Sequence, residues 1–216
     1  MNIAKNLEQV RNATQGVILI AATKYVTSQE IRQLYAAGQL DCGENRAQDL
    51  LTKQAQLLDL NIRWHFIGHL QTNKVPGVIN RIVSLHSLDS LKLAESIQKH
   101  RLGKLPCFVE VLTSDEVGKT GVLPEETVKF VENCAQYDTI EVVGLMTVAP
   151  NTADPSRLRE AFETVRRLRD QITAKHWHHA PCTFLSMGMS SDYELAITCG
   201  ATHVRLGSIL FRNEES

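Results

Sequence analysis

The chain lacks long apolar runs, closely spaced cysteine pairs and an excess of charge of either sign. Its longest apolar stretches, such as Val17–Ala22, are of strand length and far too short to span a bilayer. A formal net charge of −1 provides no field that would attract nucleic acid or an anionic membrane. Met1–Gln15 has charged residues in place of the apolar core of a signal peptide and is typical of a helix. We therefore expect a cytoplasmic protein that binds neither nucleic acid nor membrane.

The cysteines also exclude a disulfide framework. Their number is odd, no Cys-x-x-Cys motif is present, and most lie inside apolar segments, which indicates reduced and buried thiols. The five are Cys42, Cys107, Cys134, Cys182 and Cys199.

What the chain does have is a regular alternation of strand-length apolar runs with helix-length amphipathic segments. The amphipathic segments carry apolar residues at helical spacing, as in Ile31, Leu34 and Tyr35. Helix-start signals lie between the runs, at Ser28, Asp89, Pro124 and Asp154-Pro155. The eight predicted strands are Val17–Ala22, Leu40–Cys42, Arg63–Ile67, Ile82–Leu85, Cys107–Leu112, Glu141–Thr147, Thr183–Ser186 and Thr202–Leu206.

Strict alternation of strand and helix predicts a parallel sheet with right-handed crossovers, either open or closed. Eight strand–helix units favour closure, so we predict a single (β/α)8 TIM barrel over residues 1–216, with an extra N-terminal helix. The longest irregular segment, Thr113–Gly121, is polar and is predicted to be a mobile loop.

In such a barrel, functional side chains lie at the C-terminal ends of the strands. The first strand is followed by Lys24, whose amine at the mouth would be partly removed from water and suited to imine chemistry. A surface lysine that closes a strand is the alternative. After the second strand, Glu44 and Asn45 either face the mouth or cap the next helix. His69 follows the third strand, and its ring either lies against a planar ligand or has only a structural role.

The last two strands end in Ser186–Ser190 and Arg205–Ser208, both rich in small residues. Small residues let backbone amides approach an anion, and a phosphate site after strands 7 and 8 recurs in barrels of this kind. Gly207-Ser208 is equally consistent with a plain helix start. Arg205 points inward, where an unpaired guanidinium is costly, so it needs a carboxylate or a ligand atom as acceptor.

We expect no metal site. The cluster of His176, His178, His179 and Cys182 falls in a helix-to-strand connection, on the opposite face of the predicted barrel. No carboxylate pair and no Ser/His/Asp grouping is indicated by the spacing of the remaining residues.

Taken together, these segments resemble the pyridoxal-phosphate homeostasis protein family (the YggS/PROSC family), which is related to the N-terminal domain of alanine racemase. The resemblance covers nearly the whole chain, from the Ala-Thr-Lys24 strand to Arg205–Ser208. The motifs that carry it are Gly43–Asn45, Trp64–Lys74, His86–Ser90, Gly144–Thr147 and Leu185–Ser190.

The resemblance implies a fold-type III barrel that holds pyridoxal 5'-phosphate as a Schiff base on Lys24. It further implies that Arg205 meets the pyridine nitrogen and that Asn45 lines the ring. Ser186, Gly207 and Ser208 are implied to hold the phosphate, and His69 and Met187 are also implied to bind the cofactor.

The family is regarded as lacking a defined catalytic activity and as acting in vitamin B6, amino-acid and 2-oxo-acid homeostasis. The first hypothesis is therefore a carrier or sensor of pyridoxal phosphate, with apoenzymes that depend on this cofactor as partners. A lone barrel favours a monomer. A small amino-acid racemase is the competing hypothesis, although racemisation needs a second base, for which only Tyr25 is near the lysine. A third hypothesis is a regulatory protein that also binds protein partners.

Overall fold

The computed structural model describes residues 2–114 and 120–212, and its centre is a closed barrel of eight parallel strands. Each strand pairs with its neighbours in chain order, and the last pairs with the first through Ile18–Ala21 and His203–Leu206. The strands are β1 (Ile18–Ala22), β2 (Asp41–Glu44), β3 (Arg63–Phe66), β4 (Ser84–Leu88), β5 (Leu105–Glu110), β6 (Ile140–Met146), β7 (Phe184–Ser186) and β8 (His203–Leu206).

Helices surround the barrel and cover its outer face. They are α1 (Ile3–Ala13), α2 (Ser28–Ala36), α3 (Ala47–Gln56), α4 (Val75–Val78), α5 (Leu91–His100), α6 (Pro124–Asn133), α7 (Pro155–Thr173), α8 (Tyr193–Thr198) and α9 (Ser208–Phe211). The predicted (β/α)8 barrel with an extra N-terminal helix is confirmed. Within the predicted loop Thr113–Gly121, residues 115–119 lie outside the described part of the chain.

All eight predicted strands are present, but β4 begins two residues later than predicted and ends three residues later. The prediction followed the apolar pair Ile82-Val83, whereas the strand itself carries His86 and Ser87, both fully buried. Polar side chains inside the barrel thus hide this strand from a search for apolar runs.

Local capping explains where the helices begin. α2 starts after Thr27, whose side chain accepts from the amide of Glu30 while the Glu30 carboxylate accepts from the amide of Thr27, at 2.6 Å. The sequence placed this cap one residue later, at Ser28. The longest helix, α7, starts as predicted at Asp154-Pro155, with the Asp154 carboxylate accepting from the amide of Ser156 at 2.9 Å.

All five cysteines are buried and unbridged, as predicted. Burial raises the pKa of the Cys42 thiol to about 12, so this group stays protonated and unreactive at neutral pH. Among the helices of the described residues, none is both long and apolar enough to cross a bilayer.

Candidate functional site

A cavity of about 820 Å³ opens at the C-terminal mouth of the barrel. It collects residues that follow six different strands, which is how a parallel barrel assembles a site from distant parts of the chain. Its lining comprises Ala22, Lys24, Tyr25, Val26, Glu30, Asn45, Ile67, Gly68, Val148, Met189, Ser190, Ser191, Arg205, Gly207, Ser208 and Phe211.

Lys24 stands at the rim of this cavity, two residues past the end of β1. Its side chain is exposed, and partial removal of the amine from water stays a prediction. The next residue, Tyr25, has a φ of +71° and is 85% exposed. A non-glycine residue in the left-handed region is uncommon and occurs often at functional sites. The strained turn therefore places the consecutive residues Lys24 and Tyr25 at the mouth of the barrel.

The base of that turn is fixed by a buried ion pair. The hydroxyl of Thr23 donates to Glu44 Oε1 at 2.5 Å, and Lys53 Nζ lies 2.7 Å from the same oxygen. Glu44 thus neither faces the mouth nor caps α3, the two alternatives that the sequence left open. Its neighbour Asn45 does line the cavity. The pair therefore ties the ends of β1 and β2 to α3 directly beneath Lys24.

Arg205 forms part of the cavity wall and is only 4% exposed. Its Nη1 donates to the carbonyl and the hydroxyl of Ser186, both at 2.7 Å, and its Nη2 donates to the carbonyl of Thr147 at 2.8 Å. These acceptors are neutral, whereas the sequence predicted a carboxylate or a ligand atom. Burial lowers the pKa of Arg205 to about 10, so the guanidinium stays charged at neutral pH.

The segments predicted to form an anion cradle contribute Ser190, Gly207 and Ser208 to the cavity. Gly207 and Ser208 line the cavity beside Ser190, whose hydroxyl accepts from the amide of Gly207 at 3.3 Å. A side chain at Gly207 would come within 3.1 Å of the Ala22 carbonyl, so glycine lets the backbone run close to β1 here. The cradle is therefore made of two backbone turns and two hydroxyls.

Ser186 and Met187, both predicted to bind the cofactor, do not line the cavity. Both are fully buried in the barrel wall. The Ser186 hydroxyl is bound by Arg205 and lies 2.9 Å from His86 Nδ1. The chain reaches the cavity only after leaving β7, where Ser190 lines it. Ser190 could have been found from its position in the small-residue segment beyond the strand.

His69, predicted to contact a planar ligand, does not line this cavity either. Its Nδ1 lies 2.7 Å from a carboxylate oxygen of Asp89, and the ring lines a separate cavity of about 350 Å³. The carboxylate at the end of β4 holds the imidazole on that side. Of the eight predicted site residues, the structure brings together Lys24, Asn45, Arg205, Gly207 and Ser208.

No group of three or more His, Cys, Asp or Glu side chains arranged to hold a metal ion occurs within residues 2–114 and 120–212. The cluster around His176 and Cys182 therefore carries no such arrangement in the described chain.

Comparison with known proteins places this barrel in a family. The family model of the alanine racemase N-terminal domain matches residues 1–214. The pyridoxal phosphate homeostasis protein of Aquifex aeolicus is 39% identical over 212 residues, covering 97% of this chain and 92% of that protein. The structure of PipY from Synechococcus elongatus with pyridoxal phosphate bound has a TM-score of 0.88 and 32% identity, over 97% of this chain and 100% of that one.

Alanine racemase from Corynebacterium glutamicum shares the fold, with a TM-score of 0.81 at 16% identity, over 99% of this chain but only 61% of the racemase chain. The barrel thus corresponds to one part of a longer racemase. With the family model spanning residues 1–214 and a homeostasis protein 39% identical over almost its full length, this chain belongs to the pyridoxal phosphate homeostasis protein family, within the alanine racemase N-terminal domain group.

Proposed function

We propose that this chain binds pyridoxal 5'-phosphate in the mouth cavity, as a Schiff base on Lys24, and acts in vitamin B6, amino-acid and 2-oxo-acid homeostasis. The observation that carries the proposal is the meeting of Lys24, the Ser190–Gly207–Ser208 cradle and Arg205 in one cavity. An aldehyde needs an amine, a phosphate needs amides and hydroxyls, and a pyridine nitrogen needs a polar partner. The Lys24 amine, the hydroxyls of Ser190 and Ser208, and the Arg205 guanidinium all belong to the lining of this one cavity.

The shape and lining of the cavity suit this cofactor. A volume of about 820 Å³ is within the usual range for small-molecule sites, and the cavity combines apolar walls with a few placed polar groups. Ile67, Val148 and Met189 provide apolar surface for a ring. The cradle of small residues lies at one side, so it can bind the phosphate while Lys24 approaches the aldehyde from the rim.

The relatives support the same assignment. The similar protein of Aquifex aeolicus is named a pyridoxal phosphate homeostasis protein, and PipY, 32% identical, has a structure with the cofactor bound. These names and structures describe the relatives, and their residues in common with this chain span almost its whole length.

Arg205 argues against catalytic turnover. When bound, the cofactor supplies a ring that withdraws electrons from groups attached to it. A guanidinium that remains charged can donate a hydrogen bond to the ring nitrogen but does not give up its proton. The nitrogen then stays unprotonated and the ring is a weak electron sink. We therefore propose a carrier that performs no defined reaction.

The competing function is a small racemase, which shares the lysine but requires a second base on the opposite face of the substrate. Tyr25 lines the cavity and is the one tyrosine in its lining, but it follows Lys24 directly in the chain and is 85% exposed. The corresponding racemase chain extends well beyond the region that this barrel covers. Alanine racemisation well above the rate of free cofactor would favour the racemase.

Exposure of Lys24 at the rim suits exchange of the cofactor. We propose that the recipients are apoenzymes that depend on pyridoxal phosphate and that the protein acts as a monomer. The five unbridged thiols suit a reducing compartment such as the cytoplasm.

The test is an absorption spectrum of the purified protein before and after borohydride, followed by peptide mapping of the reduced adduct. We expect a band near the visible edge that borohydride removes, with the adduct on Lys24. Lys24→Ala should lack both the band and the adduct while keeping the fold. Lys99→Ala, which removes an exposed lysine paired with Glu95 on α5, is the matched control and should retain both. A band that persists in Lys24→Ala would place the anchor elsewhere.

A further inference from the structure

A chain of buried polar groups runs along the inside of the barrel and ends at Arg205. From Asp41 Oδ1 it passes to His65 Nε2 at 3.0 Å, and from His65 Nδ1 to His86 Nε2 at 3.1 Å. His86 Nδ1 lies 2.9 Å from the Ser186 hydroxyl, which accepts from Arg205 Nη1 at 2.7 Å. Every member is at most 9% exposed. The chain therefore connects β2, β3, β4, β7 and β8 by side chains alone.

The two ends of the chain restrict where its protons can lie. A guanidinium only donates hydrogen bonds and an ionised carboxylate only accepts them. Asp41 is ionised at neutral pH: burial raises its pKa, but hydrogen bonds from His65 and Arg63 outweigh burial and bring the pKa below its ordinary value. Burial lowers the pKa of His86 well below its ordinary value, so this imidazole is neutral and has one N–H.

With the ends fixed, only one arrangement satisfies every group when both imidazoles are neutral. Ser186 accepts from Arg205 and donates its own proton to His86 Nδ1. His86 then donates from Nε2 to His65, and His65 donates from Nε2 to Asp41. All contacts point the same way, from the cationic end to the anionic end. Such aligned hydrogen bonds reinforce one another in a low dielectric.

We propose that Ser186 and His86 are positioning residues that fix the orientation of the Arg205 guanidinium at the cavity. Ser186 supplies two of the three acceptors of Arg205, its carbonyl and its hydroxyl, and the hydroxyl can face Arg205 as an acceptor because His86 takes its proton. This role replaces the phosphate contact that the sequence gave to Ser186. The effect on a bound cofactor rests on the proposed function, since the ring nitrogen is placed opposite Arg205 there.

The far end of the chain lies at the opposite mouth of the barrel. Asp41 and His65 line a second cavity of about 710 Å³, together with Arg63, whose Nε donates to Asp41 at 2.8 Å. The polar chain thus spans the barrel interior, from the cavity at the N-terminal mouth to the cavity at the C-terminal mouth. Arg63 holds the carboxylate end, so both ends of the chain are fixed by guanidinium groups.

The first arm of the test needs no cofactor. Nitrogen NMR of the purified protein at neutral pH reports which nitrogen of each imidazole carries the proton, and it also reports how fast the Arg205 guanidinium rotates. We expect His65 and His86 both to carry the proton on Nε2, and the Arg205 guanidinium to rotate slowly. Ser186→Ala should speed that rotation and shift the His86 Nδ1 signal. A proton on His86 Nδ1 in the unaltered protein would overturn the proposal.

The second arm measures pyridoxal phosphate binding. Ser186→Ala should shift the absorption band and raise the dissociation constant about threefold to tenfold, as expected for one lost hydrogen bond. Ser84→Ala is the control. This buried serine on β4 donates to the Pro106 carbonyl and is not part of the hydrogen-bonded series from Asp41 to Arg205. His86→Asn keeps an amide oxygen that can accept from Ser186. Its dissociation constant for pyridoxal phosphate should therefore be closer to that of the unaltered protein than to that of Ser186→Ala.

The two proposals fail in different ways. If the unaltered protein binds no pyridoxal phosphate, the proposed function is wrong, and the Arg205 rotation in Ser186→Ala still decides the positioning role. If the protein binds the cofactor but Ser186→Ala leaves the rotation, the band and the dissociation constant unchanged, the positioning role is wrong and the proposed function stands.

Discussion

The guanidinium of Arg205 and the hydroxyl of Ser186 are hydrogen-bonded at 2.7 Å inside the barrel wall. The residues around the mouth form two groups. One is a rigid wall, where Arg205 is held by β7 and by the end of β6 through the Thr147 carbonyl. The other is the cradle of Ser190, Gly207 and Ser208, which belongs to the turns beyond the strands. A ligand in the cavity meets a fixed cation on one side and backbone turns on the other.

Replacement of the cation should change the electronic state of the ring. In Arg205→Glu, a carboxyl group faces the pyridine nitrogen and favours its protonation, so we expect the absorption band to shift in position. The carbonyl groups of Ser186 and Thr147 lose their donor, so the variant should also be less stable. Circular dichroism checks the fold and borohydride labelling checks that Lys24 remains modified. A folded, labelled variant with an unchanged band would contradict the placement of Arg205 at the nitrogen.

The cradle predicts a selective loss of phosphate binding. Ser190→Ala removes a hydroxyl from the cavity wall, and a hydrogen bond to a charged group contributes about 1.5–3 kcal/mol. We expect the dissociation constant of pyridoxal 5'-phosphate to rise by at least about tenfold. Pyridoxal, which lacks the phosphate, is the control and should bind both proteins alike. An equal effect on the two compounds would show that Ser190 does not contact the phosphate.

The sequence predicts the frame of this site better than its contacts. Apolar runs locate all eight strands, although buried apolar residues occupy more than half of the positions only in β1, β5 and β6. Strand order alone then places Lys24 and Gly207 at the mouth. It misplaces Ser186 because a site residue must be located to within one strand position, and apolar runs define strand ends less finely than that. The partners of Arg205 come from residues 19 and 58 positions away in the chain, which no spacing reveals.

The ion pair beneath Lys24 should matter for stability. Lys53→Met leaves the Glu44 carboxylate buried without its cation, and removal of one partner of a buried pair costs about 3–5 kcal/mol. Chemical denaturation at neutral pH measures this loss. The control is Asp59→Asn, which breaks an exposed pair with Arg32 and should cause a much smaller loss. Similar losses for the two variants would mean that water or another group stabilises the Glu44 carboxylate in place of Lys53.

The turn after β3 should not tolerate a side chain. A Cβ at Gly68 would lie 2.5 Å from the carbonyl oxygen of Asn45 and 2.8 Å from the Cα of Asn45. The backbone of Asn45 must therefore move. Gly68→Ala should therefore destabilise the protein by roughly 1–3 kcal/mol and weaken cofactor binding, because both residues line the cavity.

Gly77 provides the matched control for this substitution. It lies in α4, where an added Cβ would meet only Leu51 Cδ1 at 3.9 Å. Gly77→Ala should leave cofactor binding unchanged and slightly raise the free energy of unfolding, since alanine favours helix. If thermal unfolding and cofactor titration give the same result for both variants, the close approach of Gly68 to Asn45 is not what shapes the turn.

His203 should make stability depend on pH. It is 6% exposed, with its ring edge-on to Phe108 and Phe184 at centroid distances of 5.1 and 5.2 Å. Burial lowers its pKa to about 4. An unfolded histidine has a pKa of about 6.5, so between these values the unfolded state binds a proton that the folded state does not. The free energy of unfolding therefore falls as the pH drops from about 6.5 toward 4.

At pH 5 the lost free energy from this one group amounts to about 2 kcal/mol, by the linkage between proton binding and folding. His203→Gln has no group to titrate, so its stability relative to the unaltered protein should improve by about that amount between pH 7.5 and pH 5. Urea denaturation of both proteins at the two values gives the comparison directly. A stability difference that is the same at both pH values would mean that His203 takes up its proton as readily in the folded barrel as in water, and that the ring is not excluded from solvent.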